Sequence, residues 1–403
     1  MRQTWAVMVD AYRELNAKKL CWITMLISAL VVVAFACVTL TPKGIGVLVW
    51  EFDVPVFNAG ILSNAAFYKL MFQTLGIDFW LTWVATIIGL IATCSMIPDF
   101  VAGGSVELTL SKPVTRVRLF LTKYAAGLLF TLLQVLVFTT AVFLLIGVRG
   151  GEWSWRVFLA VPIVTLMYSY LFSVCALVGL VSRSAIFSLI ATLVVWIGIF
   201  AVDTVESAVL LSLRTQSEVQ VERLKRDIER VENPEPVAAE KAARPTDEGK
   251  GLLGRAADMF KPRAAPPSAA KLKGELVVAE KSKARWTKWH NGAFIAKTVL
   301  PKTSETTNLL ARAILPESEM KKFRDTQVEQ ALKNQRTFRE SRRKDGEAAE
   351  ERDDRPDFGD PRVALEVERR LNERSVAWVI GTSLLFEGLL LSIACWVFSR
   401  RDF

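Results

Sequence analysis

The sequence has one histidine, five cysteines and no G-x-x-x-x-G-K-[ST] motif. A single histidine, His290, excludes a metal site with several histidine ligands in one chain and leaves no partners for a nucleophilic triad. All five cysteines lie in apolar runs, so we interpret them as buried small hydrophobic residues. Gly249-Lys250-Gly251 is not followed by Ser or Thr and therefore does not form a phosphate-binding loop. We predict that the chain is not an enzyme and carries no cofactor or metal of its own.

Hydrophobic residues make up 52% of the 403 positions, and they are concentrated in runs near the ~20 residues that cross a bilayer. The mean hydropathy of +0.31 is too high for an average soluble domain. The pattern predicts an all-α polytopic membrane protein with six transmembrane helices. The first five belong to residues 20–213 and the sixth to residues 376–403, and the predicted spans are residues 20–40, 78–98, 119–146, 156–181, 185–202 and 376–398. Residues 1–19 alternate apolar and charged positions at helical spacing, which predicts an interfacial amphipathic helix.

Lys and Arg lie in the short loops at residues 99–120 and 182–185 and at the carboxyl terminus. Such loops stay cytoplasmic, so both termini are predicted to be cytoplasmic in a multi-pass protein of the cell (inner) membrane. Five spans then place the hydrophilic residues 214–375 outside, as a large extracytoplasmic insert between helices 5 and 6. Long domains translocate regardless of their basic residues, so the charge of the insert does not oppose this topology.

The insert has mixed charge, with 35 basic and 29 acidic residues between positions 214 and 374. A nucleic-acid partner is not expected, because it would require a one-sided basic surface. Val221, Leu224, Ile228 and Val231 recur at heptad-like spacing. This spacing indicates either a short helix-pairing segment or a solvated single helix, and both remain open.

The rest of the insert alternates in character. Residues 233–271 are rich in Pro, Ala and charge and predict a flexible linker, so the insert is expected to be helical and partly disordered. Apolar residues return at 286–315, with Pro301 as a break. One interpretation of this stretch is a small soluble helical hairpin; the other depends on a family resemblance given below.

Residues 97–123 form the polar break that carries a cluster of positive charge. Gly103-Gly104 ends the preceding helix, and the residue before Pro113 is driven out of helical conformation. A new helix with basic residues begins near Thr115. The sequence therefore predicts a short ordered element between two membrane helices, which could receive force from a soluble partner; an ordinary positive-inside loop is the alternative.

Three segments of this loop, GSVE (104–107), LSKPVTR (110–116) and KY (123–124), resemble the loop of ABC-2-type ABC transporter permeases. They resemble most narrowly the subgroup of multi-copper-enzyme maturation permeases. The closing FSRRDF (398–403) is also similar to the carboxyl terminus of that family. In the family this loop contains a coupling helix that docks on an ATP-binding subunit. The resemblance thus implies an ATPase-coupling loop, whose residues here are Gly104, Glu107, Lys112, Pro113 and Arg116.

The function implied by the resemblance is the permease subunit of an ABC-2-type exporter, which moves an unknown substrate by alternating access. Its expected partners are a separate ATP-binding-cassette ATPase subunit, which holds ATP and Mg, and a second permease subunit, identical or related. Residues 286–315 would then correspond to helices that dip into the outer leaflet. The alternative function is a non-transporting membrane anchor or mechanotransmission protein, whose external insert binds an extracytoplasmic protein.

Glu387 is the exception in an otherwise apolar last span. A carboxylate at mid-membrane costs several kcal/mol unless it is protonated, paired or hydrated. Two hypotheses remain open: a functional polar site, or a protonated structural group bonded to a hydroxyl such as that of Thr382 or Ser383. Gln134, in the third span, is a weaker intramembrane polar candidate, and we interpret it as a contact between helices.

Overall fold

A computed structural model of the chain is mostly helical, and its helices are apolar enough for a membrane-embedded protein. Two compact units are present; the first comprises residues 1–204, 295–351 and 371–403, and the second comprises residues 205–294 and 352–370. Apart from isolated positions, the structure describes residues 19–42, 44–53, 62–102, 115–232, 269–315 and 361–400.

Twelve α-helices are formed by the described residues. In chain order they are α1 (Lys19–Ala36), α2 (Asn64–Met71), α3 (Thr86–Thr93), α4 (Met96–Ala102), α5 (Arg116–Leu145), α6 (Ala160–Ser182), α7 (Ala185–Thr204), α8 (Leu211–Glu232), α9 (Ala269–Val299), α10 (Thr303–Ile314), α11 (Pro361–Asn372) and α12 (Val376–Arg400). Other helical types occur at Phe72–Ala85, Ile146–Gly150, Trp155–Leu159 and Val205–Leu210; the third is a 3₁₀ helix and the others are π-helical.

Five helical stretches of the described residues are long and apolar enough to cross a membrane: Asn64–Val101, Arg116–Gly150, Trp155–Ser182, Ala185–Glu229 and Val376–Arg400. They contain the predicted second to sixth spans. The predicted first span corresponds to a shorter apolar helix, Trp22–Ala36.

The helix that contains the second span begins at Asn64, well before the predicted start at residue 78. Residues 41–77 were predicted to be a loop, and the early part of this helix contains two polar side chains, Lys69 and Gln73. Both are buried and paired: Lys69 Nζ donates to Glu152 Oε1 at 2.6 Å, and Gln73 Nε2 donates to Asp78 Oδ1 at 3.0 Å. Pairing removes most of the penalty of burying these groups, so the helix starts earlier than composition suggests.

A small antiparallel sheet follows α1, and the predicted all-α architecture did not include it. Its strands β1 (Val38–Leu40), β2 (Gly44–Val47) and β3 (Trp50–Asp53) lie in the order β1-β2-β3. The first apolar run was predicted to be helical to residue 40, but β-branched residues near its end favour extended structure. The sheet is fixed to the bundle because the Tyr68 hydroxyl donates to Val38 O at 2.8 Å.

Among the described residues, two apolar clusters form the core of the first unit. One is built around Tyr168, Phe172 and Phe398, and the other around Phe72, Phe138 and Leu310. Leu310 belongs to α10, which contacts α6, α7 and α12. The predicted break at Pro301 is confirmed, because it separates α9 from α10. The apolar side of α10 is thus part of the membrane-helix core.

The second unit contains an antiparallel pair formed by α8 and residues 269–294 of α9. Val221, Leu224 and Ile228 are buried in one cluster with Leu272 and Ala279. Of the two interpretations of this segment, helix pairing is the one observed. The fourth heptad position, at residue 231, is 39% exposed and lies outside the cluster.

Several predictions fall on residues that the structure does not describe. The interfacial helix at 1–19 is described only at residues 9 and 19, and the linker at 233–271 only from residue 269. The centre of the predicted coupling loop, residues 103–114, also lies outside the described residues.

Candidate functional site

The candidate site is the side chain of Glu387 and the two hydroxyl groups that contact it. Glu387 lies on α12 and is 8% exposed. The Tyr124 hydroxyl on α5 lies 2.8 Å from Glu387 Oε1, and Ser169 Oγ on α6 lies 2.9 Å from Oε2. Each carboxylate oxygen therefore has one hydroxyl within donating distance, and three different helices form the site.

Aromatic packing positions the tyrosine. The Tyr124 ring stacks on Phe172 of α6, with centroids 5.0 Å apart and an interplanar angle of 11°. Gly127 is on the same face of α5 as Tyr124, and a Cβ added there would lie 2.7 Å from the Phe172 ring. Because that space is smaller than any side chain requires, glycine allows α5 and α6 to approach closely enough for the stack.

Both hydroxyls have a second acceptor. Tyr124 also lies 2.9 Å from Ser169 O, and Ser169 Oγ lies 2.7 Å from Leu166 O. Two hydroxyl hydrogens thus face four oxygen contacts, and each hydroxyl can turn to a backbone carbonyl when the carboxyl does not accept. Another group can therefore bind to the Glu387 carboxyl or leave it, and neither buried hydroxyl is left without an acceptor.

Thr382 and Ser383, which were considered as partners of Glu387, bond elsewhere. Their hydroxyls donate within α12, to Trp378 O at 2.7 Å and Val379 O at 2.8 Å respectively. This back-bonding to the preceding turn is usual for helical Ser and Thr. The hydroxyls that contact Glu387 therefore come from neighbouring helices and not from Thr382 or Ser383, the two examples named in the structural hypothesis; both hypotheses for Glu387 stay open.

Ser383 and Thr382 instead hold the break between α9 and α10. The backbone N–H of Lys302 donates to Ser383 Oγ at 2.9 Å, and its Nζ donates to Thr382 Oγ1 at 2.6 Å. The pKa of Lys302 is lowered to about 8. Burial is the main cause, and the positive charges of Lys297 and Arg374 contribute to the shift. A neutralisable amine is thereby placed beside α12, about one turn from Glu387.

A buried charge cluster surrounds the same break. Lys297 Nζ pairs with Asp203 and, at 2.7 Å, with Glu305 Oε1; Arg374 pairs with the same Glu305 oxygen. The four side chains are between 4% and 15% exposed. Two acids and two bases balance in formal charge. They connect the end of α7, the end of α9, the start of α10 and the residues before α12.

The predicted coupling-loop residues are only partly described. Gly104, Glu107, Lys112 and Pro113 lie outside the described residues, and Arg116 is the first residue of α5. The structure consequently does not place four of these five side chains.

Arg116 connects the loop to the carboxyl-terminal helix, since its Nη1 lies 3.5 Å from Ser399 O. Nearby, Phe398 contacts Phe100 of α4 and Phe120 of α5, with ring centroids 6.4 and 5.8 Å apart. Lys123 Nζ lies 5.3 Å from the Phe100 ring centroid. The two helix ends that flank residues 103–114 therefore meet the end of α12.

Gln134 lies on α5 outside the Glu387 cluster. Its Nε2 is buried and makes no hydrogen bond to the described residues. The contact between helices predicted for this side chain is not seen there. His290 belongs to the second unit, where its Nδ1 is 3.2 Å from Arg214 and its Nε2 is 3.0 Å from Glu206. Because Arg is only a donor, Nδ1 accepts.

The contacts of Tyr124 and Ser169 with Glu387 were not predicted from the sequence, and neither was the cluster around Lys297. Tyr124 was noted only as part of the KY segment of the family resemblance, and serine is unremarkable in a membrane helix, so neither residue indicated a contact with Glu387. The charged residues are hidden among the many charges of the insert. One signal was available: Lys297 and Glu305 flank the break at Pro301, in the stretch where apolar residues return.

A carboxyl group whose hydroxyl partners have alternative acceptors is chemically able to accept a hydrogen bond, a proton or a cation. Comparison with protein-family models, with curated proteins and with solved structures finds no match to this chain.

Proposed function

We propose that the chain is the transmembrane permease subunit of an ABC-2-type ABC exporter. One observation carries the proposal: Arg116, the last residue of one stretch that resembles the family, contacts Ser399, near the start of the other. The segment that ends at Arg116 and the segment that begins at Phe398 are separated by most of the sequence, yet Arg116 contacts Ser399 and Phe398 contacts Phe120. A docking surface built from a loop and the carboxyl terminus requires this proximity.

The distribution of the connections supports the proposed topology. At one end, α12 stops beside the ends of α4 and α5, and Gly179 of α6 packs against Pro98, so that a Cβ added at Gly179 would lie 3.1 Å from the proline ring. This end collects the three basic connections, which we propose to be cytoplasmic.

At the other end lie the sheet and the turn after α5. Gly150 approaches Ala65 at the start of α2, where an added Cβ would be 3.2 Å from its Cα, and β1 bonds to Tyr68. With six spans, of which α1 is the first, this end is extracytoplasmic and the insert at 214–375 extends from it. We place the protein in the inner membrane with both termini in the cytoplasm.

Within this function, Glu387 is the intramembrane polar group of the transport path, and ATP with Mg is bound by the separate ATPase subunit. Closure of two ATPase subunits acts on the loop at 97–123 and so on the ends of α4 and α5. Because α5 carries Tyr124, a movement of this helix changes the hydroxyl contacts of Glu387. The site is thereby linked to the docking surface by a single helix.

The proposal predicts an ATP-binding-cassette reading frame next to the gene for this chain, and it is tested by co-expression with the subunit which that frame encodes. The wild-type chain is expected to co-purify with it, and Arg116→Glu or Glu107→Lys is expected to abolish co-purification without lowering the amount of chain in the membrane. Arg149→Glu is the matched control, since Arg149 is exposed at the opposite end. An intact complex with unchanged ATP hydrolysis in both charge reversals would refute the docking surface.

The membrane-anchor alternative is supported by the α8–α9 pair, an ordered element with charged ion pairs such as Lys225–Glu280 at 3.3 Å. The two functions differ at Glu387. In an exporter, Glu387→Gln lowers substrate-stimulated ATP hydrolysis of the complex, whereas in a mechanotransmission protein it has no effect and disruption of the helix pair, for example by Leu224→Asp, abolishes function.

A further inference from the structure

The connection between β2 and β3 is a two-residue turn with unusual chemistry. Val47 pairs with Trp50, so Leu48 and Val49 form the tip. Leu48 has a φ of 55°, a left-handed conformation that Gly, Asn and Asp adopt most easily. For another residue this conformation costs about 1–2 kcal/mol. Leu-Val is therefore unfavourable for the turn itself, and its presence requires another explanation.

The apolar side chains at this tip are open. Leu48, Val49 and Trp50 are 76%, 91% and 73% exposed, and Phe52 is 54% exposed. Large apolar side chains at one projecting point of a water-facing loop are unfavourable, and in soluble proteins such groups mark a binding surface.

The position of the sheet shows what the tip faces. The sheet follows α1 after a single residue, and its first strand is bonded to Tyr68 near the start of α2. The turn after α5 lies at the same end and carries Trp153 and Trp155, which are 54% and 72% exposed. Tryptophan is enriched where membrane helices leave the hydrocarbon. Since Val38 pairs with Val47 and Val47 with Trp50, the tip lies at the end of the sheet that is bonded to Tyr68.

The strand itself limits how deep the tip can lie. β3 is an edge strand of the described sheet, so one row of its backbone groups lacks a strand partner there. Open sheet edges are not stable in hydrocarbon, although they are in the hydrated headgroup region. Glu51, between Trp50 and Phe52, points to the opposite face of the strand and is exposed.

We propose that the tip formed by Leu48, Val49, Trp50 and Phe52 inserts into the lipid headgroup–acyl boundary on its side of the membrane. Its apolar face contacts lipid, and the face with Glu51 contacts water. The tip therefore fixes the depth of α1 and α2 in the bilayer. This inference requires only a membrane-embedded chain and is independent of any ATPase partner.

The test uses a variant whose native cysteines are replaced by alanine, in nanodiscs of phosphatidylcholine and phosphatidylglycerol that hold one chain. A nitroxide label is attached at Val49→Cys in the turn, or at Glu51→Cys as the control, on the face opposite Trp50 and Phe52. Leu26→Cys, on the exposed apolar side of α1, provides the lipid reference. The ratio of oxygen to nickel-chelate accessibility is expected to be several-fold higher at position 49 than at position 51, and to approach that at position 26. Equal, water-like ratios at 49 and 51 would overturn the proposal.

Two further measurements complete the test. The first detects whether a second copy of the chain, instead of lipid, covers the tip, and the second needs no label and so does not depend on the folding of a labelled variant. In liposomes, dipolar broadening at position 49 that disappears on dilution with unlabelled chain would show that a second copy covers the tip, which refutes lipid contact. Without any label, Trp50→Phe is expected to remove part of the tryptophan fluorescence that lipids brominated near the headgroup quench. An unchanged quenched fraction would also contradict insertion.

Discussion

The sharpest prediction concerns the Tyr124 hydroxyl, because Tyr124→Phe removes one oxygen and keeps the ring that stacks on Phe172. In the wild-type chain this hydroxyl contacts Glu387 Oε1 at 2.8 Å. Without it, that carboxylate oxygen stays buried with no hydroxyl donor from α5. Leaving a buried acceptor unsatisfied costs about 1–3 kcal/mol. We expect Tyr124→Phe to lower the free energy of unfolding by about that amount.

The reverse change should be much milder. Glu387→Leu removes the carboxylate, but both hydroxyl donors keep an acceptor, Ser169 O at 2.9 Å for Tyr124 and Leu166 O at 2.7 Å for Ser169. Replacing a buried polar group by an apolar one is nearly neutral when its former partners stay satisfied. The expected loss is therefore below about 1 kcal/mol.

These two expectations define a double-mutant cycle. In the Glu387→Leu background, Tyr124→Phe no longer strands a carboxylate and removes only a neutral hydrogen bond. The interaction free energy between the two positions should be about 1–2 kcal/mol. Reversible unfolding by sodium dodecyl sulfate in mixed lipid micelles measures each corner. Tyr68→Phe is the control, since its hydroxyl bonds to Val38 O at the other end of the bundle, and its effect should add to that of Glu387→Leu.

Two outcomes would refute this reasoning. A coupling within about 0.5 kcal/mol of zero would mean that Tyr124 and Glu387 do not interact. A Glu387→Leu variant that loses more stability than Tyr124→Phe would mean that the carboxylate has partners beyond the two hydroxyls.

Three other predictions concern the charge cluster, pH and packing. Lys297→Met should lower the free energy of unfolding by about 3–5 kcal/mol, because it leaves buried carboxylates with less compensation; Lys225→Met, in an exposed ion pair, should cost less than about 1 kcal/mol, and equal losses would contradict the assignment. The pKa of Lys302 is about 8 in the folded chain against 10.5 ordinarily, so the unfolded chain binds more protons between these values. The free energy of unfolding, measured as a function of pH, should therefore rise between about pH 8 and pH 10.5, and Lys302→Met should remove this rise. Gly127→Ala should lower the melting temperature, because the added Cβ presses on Phe172 at 2.7 Å; an unchanged melting temperature would show that the ring moves freely.

The helices of the first unit were the most predictable part of the fold. Long apolar runs with Lys or Arg at their ends specify membrane helices almost without reference to tertiary contacts. Residues 156–181 were predicted to span, and the helix there, Trp155–Ser182, differs by one residue at each end. The break at Pro301 was equally accessible, since proline removes a backbone donor and excludes the helical conformation before it.

Local rules failed where distant contacts changed the polarity of a segment. The last turn of α2 contains Lys69, and the charge of this lysine is compensated by Glu152, from the turn after α5, at 2.6 Å. The β1–β3 sheet failed for another reason. Its turn has Leu48 and Val49 in place of the usual Asn-Gly, so the strongest short-range hairpin signal is missing.

The division of the insert between the two units also depends on distant contacts that composition does not predict. Composition predicted residues 214–375 as one extracytoplasmic segment. In the structure these residues contribute to both units, because 295–351 and 371–375 group with the first. The residues that return are those around Lys297, Glu305 and Arg374, whose charges are individually ordinary in such a segment. Their location follows from mutual pairing, which composition does not record.

Glu387 can be identified from the sequence alone, whereas its partners cannot. A carboxylate in an apolar run violates the composition of its own segment, so the sequence marks it without any structure. Its partners, Tyr124 and Ser169, are ordinary residues for the helices in which they occur, and they lie 263 and 218 positions away along the chain. Nothing in α6 distinguishes Ser169 from other hydroxyl residues until the helices are packed, and the family resemblance that includes Tyr124 does not link it to Glu387. The sequence can therefore identify the group that needs compensation, whereas only the packed helices identify which residues supply it. For this reason the coupling between Tyr124 and Glu387, more than either single substitution, is the quantity that tests the site.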